Sequence, residues 1–210
     1  MRVLLNCAMS ADGKIALPTR RQTRISNEED MRRVHLLRNR ADAILVGIGT
    51  VLADDPKLTV NEKYVPDPRS PLRIVLDSRG RTPRDANVLR GSAKTLIVTN
   101  ESCGKSFPGA ETVRFGKKEV DLKALLRHLQ GRGIRTLLVE GGESVMWSFL
   151  RDGLADELTV FVGSMIIGGE KSPTLAGGEG FRSLDKVVRL VLRGCERLGD
   201  GALLTYEVVR

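Results

Sequence analysis

Three stretches of this chain place glycine beside hydroxyl or charged side chains just after an apolar run. The first is Gly47-Ile48-Gly49-Thr50-Val51-Leu52-Ala53-Asp54-Asp55-Pro56, after Ala43 to Val46. Its glycines let the backbone turn and approach a ligand, and a hydroxyl and two carboxylates follow. Leu52 stands where the dinucleotide fingerprint G-x-G-x-x-G requires its third glycine, so the pattern is nucleotide-like without being the standard one. The second is Ser78-Arg79-Gly80-Arg81, after Leu72 to Leu76. Its guanidiniums suit bidentate phosphate contact, and in a nicotinamide site they would read the 2′-phosphate that separates NADP from NAD. The third is Glu140-Gly141-Gly142-Glu143-Ser144, a strand-glycine-helix turn whose backbone N–H groups can hold a pyrophosphate. Lys14 and Glu140 both follow strand-like segments, and such a charged pair can act as acid or base near a reacting carbon.

These stretches need a sheet to carry them. Strand patterns run over Arg2 to Met9, Ala43 to Val46, Leu72 to Leu76, Thr95 to Thr99, Thr112 to Phe115, Thr136 to Val139 and Leu158 to Val162. Ser26 with Glu29 forms a capping box opening a helix that carries acids first and arginines last. Met31, Val34 and Leu37 are the expected buried face of that helix. Further helices are expected over Asp121 to Gln130 and Ser144 to Leu150. Val187 to Leu192 and Ala202 to Val209, around Gly199-Asp200-Gly201, predict an antiparallel hairpin. The expected fold is α/β: a mixed, mostly parallel sheet flanked by helices, ending in that C-terminal hairpin. No linker is evident, so residues 1–210 read as a single domain. With the strands parallel, the three motif-bearing strand ends converge on one sheet edge, where open α/β sheets place ligands.

Composition narrows the function. The chain has 210 residues, 41% hydrophobic and 29% charged, enough for one sizeable core. Cys7, Cys103 and Cys195 are scattered, and His35 and His128 are the only histidines, so neither a metal site nor a Ser-His-Asp triad is expected. The net charge of +8 favours anionic partners, phosphorylated metabolites included. Aromatics are only 4% and no RNA-recognition motif occurs, so nucleic acid is not the expected partner. No apolar run approaches the roughly 20 residues of a membrane span, and no secretory signal is evident, so a cytoplasmic address is expected.

Met9-Ser10-Ala11-Asp12-Gly13-Lys14-Ile15-Ala16, Arg24 to Glu29, Val46 to Pro56, Asp77-Ser78-Arg79 and Glu140-Gly141-Gly142 occur in the order seen in riboflavin-biosynthesis reductases. The chain resembles that family along nearly its whole length, most closely its stand-alone archaeal and fungal type. The resemblance implies a dihydrofolate-reductase-like fold, a homodimer and NADPH as hydride donor, with NADH the alternative. It implies reduction of 2,5-diamino-6-ribosylamino-4(3H)-pyrimidinone 5′-phosphate at the ribosyl C1′, giving a ribitylamine phosphate. Thr50, Asp54, Ser78, Arg79, Gly80, Arg81, Val120, Gly141, Gly142, Glu143, Ser144 and Val145 would contact the cofactor. Arg38, Leu58, Asn61, Lys14 and Glu140 would face the substrate, with Arg38 at its phosphate and Lys14 and Glu140 catalytic. Bacterial relatives often carry Arg where Asn61 stands, and many are fused to a deaminase with H-x-E and P-C-x-x-C motifs. Neither deaminase motif occurs here, so reduction without deamination is expected. The alternatives are the bacterial-type 5-amino-6-(5-phosphoribosylamino)uracil reductase, a dihydrofolate reductase, and a non-catalytic phosphate- or RNA-binding module.

Overall fold

The computed structural model describes residues 1–21 and 23–209. The strands are β1 (Arg2–Ser10), β2 (Ala43–Gly47), β3 (Leu72–Leu76), β4 (Thr95–Thr99), β5 (Glu111–Arg114), β6 (Thr136–Val139), β7 (Glu157–Gly163), β8 (Leu190–Leu198) and β9 (Gly201–Val208). The helices are α1 (Glu28–Arg40), α2 (Ile48–Asp54), α3 (Leu122–Gly131) and α4 (Glu143–Arg151), with a 3-10 turn over Asn87–Leu89. The result is a mixed, mostly parallel sheet with flanking helices and a C-terminal antiparallel hairpin. Among the described residues no helix is long and apolar enough to cross a membrane.

The chain divides into two compact units. Residues 1–2 and 35–138 form the first, residues 3–34 and 139–210 the second. In the first, β2, β3, β4 and β5 pair in parallel in that order. Every residue of β2 and β4 is buried, which is why Ala43 to Val46 and Leu96 to Val98 read as unbroken apolar runs. The Asp42 carboxylate accepts from the N–H groups of Arg135 and Thr136 (2.9 Å each), anchoring the start of β6. Asp121 caps α3 by accepting from Ala124 N–H at 2.9 Å, and Leu122, Leu125 and Leu129 are its buried face.

In the second unit β1 pairs in parallel with β7, while β9 lies antiparallel between β7 and β8. The C-terminal hairpin is present, but its first strand begins later and runs longer than Val187 to Leu192. Arg193, Cys195, Glu196 and Arg197 hid it: β8 is exposed along most of its length and carries a bulge between Leu192 and Gly194. Two further expectations are corrected at α1. Asn27, not Ser26, accepts from Asp30 N–H (2.9 Å), and the Ser26 hydroxyl bonds the Asp30 carboxylate instead. Met31, Val34 and Leu37 are only half-buried, whereas Asp30 and His35 are buried. Asp30 sits inside because Arg33 pairs with it at 2.7 Å, and Arg33 also donates to Asn6 at 2.8 Å. Thr159 Oγ1 donates to Asn6 at 2.9 Å, so β1, β7 and the first turns of α1 share one polar network.

Candidate functional site

In the first unit Gly47 and Leu76 are register partners, so β2 and β3 end side by side. After Gly47 the chain enters α2 at once. The reading of this stretch as a glycine turn is therefore corrected, since Gly49 lies within a helix. Gly47 supplies no side-chain cap, and Gly49 is exposed with nothing within 4 Å of where a Cβ would stand. Thr50 and Asp54 are half-buried on this helix. Asp55, the other carboxylate of the motif, turns to Asn87, accepting from its N–H at 2.7 Å and its Nδ2 at 2.9 Å.

After β3 the chain makes a tight turn around buried Asp77. Its Oδ2 accepts from Thr82 N–H (2.7 Å) and Thr82 Oγ1 (2.8 Å), and its carbonyl accepts from Gly80 N–H (3.0 Å). Gly80 has φ +64, and a Cβ there would meet Cys103 Sγ at 2.8 Å, so glycine is needed. Lys105 Nζ donates to the Gly80 carbonyl at 2.7 Å. Held in this way, the turn leaves Arg79 and Arg81 exposed and Ser78 half-buried. Asn100 donates its N–H to Ser78 (3.2 Å) and its Nδ2 to Lys118 (3.0 Å), joining the turn to the loop that carries half-buried Val120. Thr82, Asn100 and Lys105 escaped the sequence reading, because nothing local marks them as parts of this turn.

Arg38, Leu58 and Asn61 are also brought together. Arg38 Nη1 donates to the Thr59 carbonyl at 3.2 Å, and Asn61 N–H donates to His35 Nδ1 at 3.1 Å. In its neutral form the His35 ring then carries its proton on Nε2. His35 stacks on Tyr64 with ring centroids 4.8 Å apart. Leu58 is buried with φ +51, at the bend that returns the chain along α1. His35 is thus a positioning residue for this segment, a role its place in a helical pattern did not reveal.

In the second unit Lys14 closes the turn after β1. Its carbonyl accepts from Ser10 N–H (2.8 Å) and its N–H donates to Ser10 Oγ (3.0 Å). The Asp12 carboxylate accepts from the Ser10 hydroxyl and from Ile167 and Gly168 N–H groups. The Ser10 bond first, then the Ile167 N–H, hold the Asp12 carboxyl down to about 2. Lys14 also forms an antiparallel bridge with Thr174, and its side chain is half-buried.

Glu140 follows β6 and is half-buried. Gly141 has φ +104, the Gly141–Gly142 peptide is cis, and Gly142 begins α4 without a side-chain cap. The first N–H groups of a helix lack intrahelical partners. Here they emerge beside a glycine whose virtual Cβ meets only Met146 Cε, at 3.9 Å. Ser144 is exposed and Val145 half-buried. The Glu143 carboxylate is engaged by Arg20 (2.8 Å) and by Thr174 N–H (3.4 Å). Thr174 therefore touches both Lys14 and Glu143.

A mixed, mostly parallel sheet with flanking helices and a C-terminal antiparallel hairpin defines a dihydrofolate-reductase-like α/β protein. Residues 1–204 match the RibD C-terminal domain, and the chain belongs to that family. It is 44% identical to the 2,5-diamino-6-ribosylamino-4(3H)-pyrimidinone 5′-phosphate reductase of Methanothermobacter thermautotrophicus, over 98% of this chain and 97% of that one. It is 41% identical to the protein of the same name from Archaeoglobus fulgidus, over 99% of this chain and 98% of that one. Among solved structures, a diaminohydroxyphosphoribosylaminopyrimidine deaminase/5-amino-6-(5-phosphoribosylamino)uracil reductase from Thermotoga maritima superposes with a TM-score of 0.84 at 28% identity. That match covers 99% of this chain and 56% of that protein, so this chain spans little more than half its length.

Proposed function

We propose that this chain reduces the ribosyl side chain of 2,5-diamino-6-ribosylamino-4(3H)-pyrimidinone 5′-phosphate to the ribitylamino product, with NADPH as hydride donor, in riboflavin biosynthesis. The observation that carries this is the full-length similarity to two archaeal reductases of that name. Residues 1–210 act as one reductase domain in this reading, in a cytoplasmic homodimer.

The residues present fit a dinucleotide phosphate. The uncapped start of α4 offers backbone N–H groups to an anion, and Gly141 leaves room for it. Arg79 and Arg81, presented by a turn locked by Asp77, supply charge for a 2′-phosphate. Thr50, Asp54, Ser78, Gly80, Val120 and Gly142 to Val145 complete the proposed cofactor contacts. When bound, the nicotinamide supplies the hydride for C1′ of the ring-opened imine. Arg38, Leu58 and Asn61 bind the substrate in this reading, with Arg38 at its phosphate. Lys14 and Glu140 move the proton on ring opening and hold the ribose hydroxyls. The chain's main contribution is orientation, which is worth roughly 7–11 kcal/mol of barrier in favourable cases.

The test is the initial rate of NADPH oxidation with the ribosylaminopyrimidinone phosphate and with its deaminated uracil analogue. Faster turnover of the undeaminated compound is expected. Faster turnover of the analogue gives the bacterial-type activity instead, and no oxidation with either overturns the reductase reading. Lys14→Ala is expected to lower kcat, and unchanged turnover removes Lys14 from the catalytic set.

A further inference from the structure

The amino-terminal end of β3 carries a concentration of positive charge that the reductase reading leaves unused. A cavity of about 350 Å³ is lined there by Lys57, Thr59, Arg73, Asn87, Arg90 and Gly91. Its volume exceeds what a bare ion needs and lies within the range of small-molecule pockets.

Arg73 is its buried charged residue, only 1% exposed. Its Nη1 donates to the carbonyls of Lys57 (3.3 Å) and Arg90 (2.9 Å), and its Nη2 to the carbonyl of Ala93 (2.6 Å). All three acceptors are neutral, and Nε has no hydrogen-bond partner among the described residues. Buried charges are normally paired with an opposite charge. Among the described residues no carboxylate lines this cavity, and three neutral carbonyls hold the guanidinium in place. Burial pushes its pKa down by desolvation. Lys57 and Arg90 are exposed and add two further cations. The Asp55 carboxylate faces Asn87 N–H and Nδ2.

We propose that this cavity binds a small phosphomonoester, its phosphoryl group held by Arg73, Lys57 and Arg90 and its organic body filling the remaining volume. The site is distinct from the Ser78–Arg81 turn. Arg73 precedes Asp77 by four strand residues, about 13 Å along β3. An oxyanion there would meet the combined positive field of Arg73, Lys57 and Arg90.

The test is calorimetric titration of the full chain, without NADPH, by ribose 5-phosphate and in parallel by inorganic phosphate. Lys57→Ala/Arg90→Ala removes two exposed side chains while keeping the backbone carbonyls that hold Arg73. Binding of the ester is expected to be at least as tight as that of phosphate. It is expected to weaken at least tenfold in this double variant and to persist in Arg38→Ala and in Arg79→Ala/Arg81→Ala, while loss in Arg38→Ala alone places the ester at the substrate site and overturns the proposal. NADPH oxidation by the Lys57/Arg90 variant is expected to be unchanged. No binding of the ester, binding of inorganic phosphate alone, or binding lost with Arg79 and Arg81 rather than with Lys57 and Arg90 overturns the proposal. Because the titration contains no cofactor and follows no turnover, its failure is separable from failure of the reductase reading.

Discussion

Asp77 holds the arginine-bearing turn, and Asp77→Ala tests that claim. The carboxylate is buried and makes two short hydrogen bonds, both to Thr82. A hydrogen bond to a charged partner contributes about 1.5–3 kcal/mol, and a buried donor left without its acceptor costs about 1–3 kcal/mol. Removing the carboxylate also removes its own desolvation cost, so the net loss for the pair comes to about 3 kcal/mol. In a chain of this length each kcal/mol lowers Tm by about 2–4 °C, giving a fall of about 6–12 °C. Thr82→Val removes only the hydroxyl bond and is expected to lose about 1.5 kcal/mol. The two changes share a partner, so the double variant is expected to lose clearly less than the sum. Thermal unfolding followed by circular dichroism reads the stability, and, on the proposed cofactor assignment, the NADPH KM reads the turn. An ordered turn lowers the entropy cost of binding, so Asp77→Ala is expected to raise KM about tenfold, equivalent to 1.4 kcal/mol. A Tm within about 2 °C of the parent together with an unchanged KM refutes the reasoning. Additive losses in the double variant refute the Asp77–Thr82 coupling.

Further predictions address the second unit. Asp12 has a folded pKa of about 2 against an ordinary 3.8, so its stabilisation is complete above the ordinary value and is lost as pH falls through about 2. The Ile167 and Gly168 amide resonances are expected to titrate there, and titration near the ordinary carboxylate value would show that Asp12 does not hold that loop. Gly178→Ala would place a Cβ 2.4 Å from Trp147 Cδ1 at φ +95, so loss of stability and a shifted Trp147 emission spectrum are expected. Trp147 is the only tryptophan, which makes the signal unambiguous, and an unchanged spectrum and Tm would contradict that packing. The Cys7 thiol is pushed up to about 12, by desolvation first and then by Asp30. Near pH 8 a thiol reagent is therefore expected to modify exposed Cys195 and spare Cys7, and rapid labelling of Cys7 in the native protein would refute this.

Strand positions were legible in the sequence because buried strands need continuous apolar runs. Ala43 to Val46, Ile74 to Leu76 and Leu137 to Val139 carry that signal in their own residues. Strand ends that carry glycine, arginine or acid were legible too, since glycine at a positive φ leaves a local mark. β8 was harder to place because an exposed edge strand has no buried side to impose alternation, so its polar residues concealed its course. At α1, Asp30 looked like a solvated helix-start acid until Arg33 and Ser26 enclosed it.

What the sequence determined by itself was the set of elements and the chemistry at their ends, since periodicity, glycine placement and charge are properties of neighbouring residues. Tertiary structure alone decided which distant groups hold those ends in place. Asp77 meets Thr82 across a turn, His35 meets Asn61 across 26 positions, and Asp12 meets Gly168 across 156. It alone also buried Arg73 against the carbonyls of Lys57, Arg90 and Ala93. A hydrogen bond depends on separation in space, and chain folding sets that separation independently of separation in sequence.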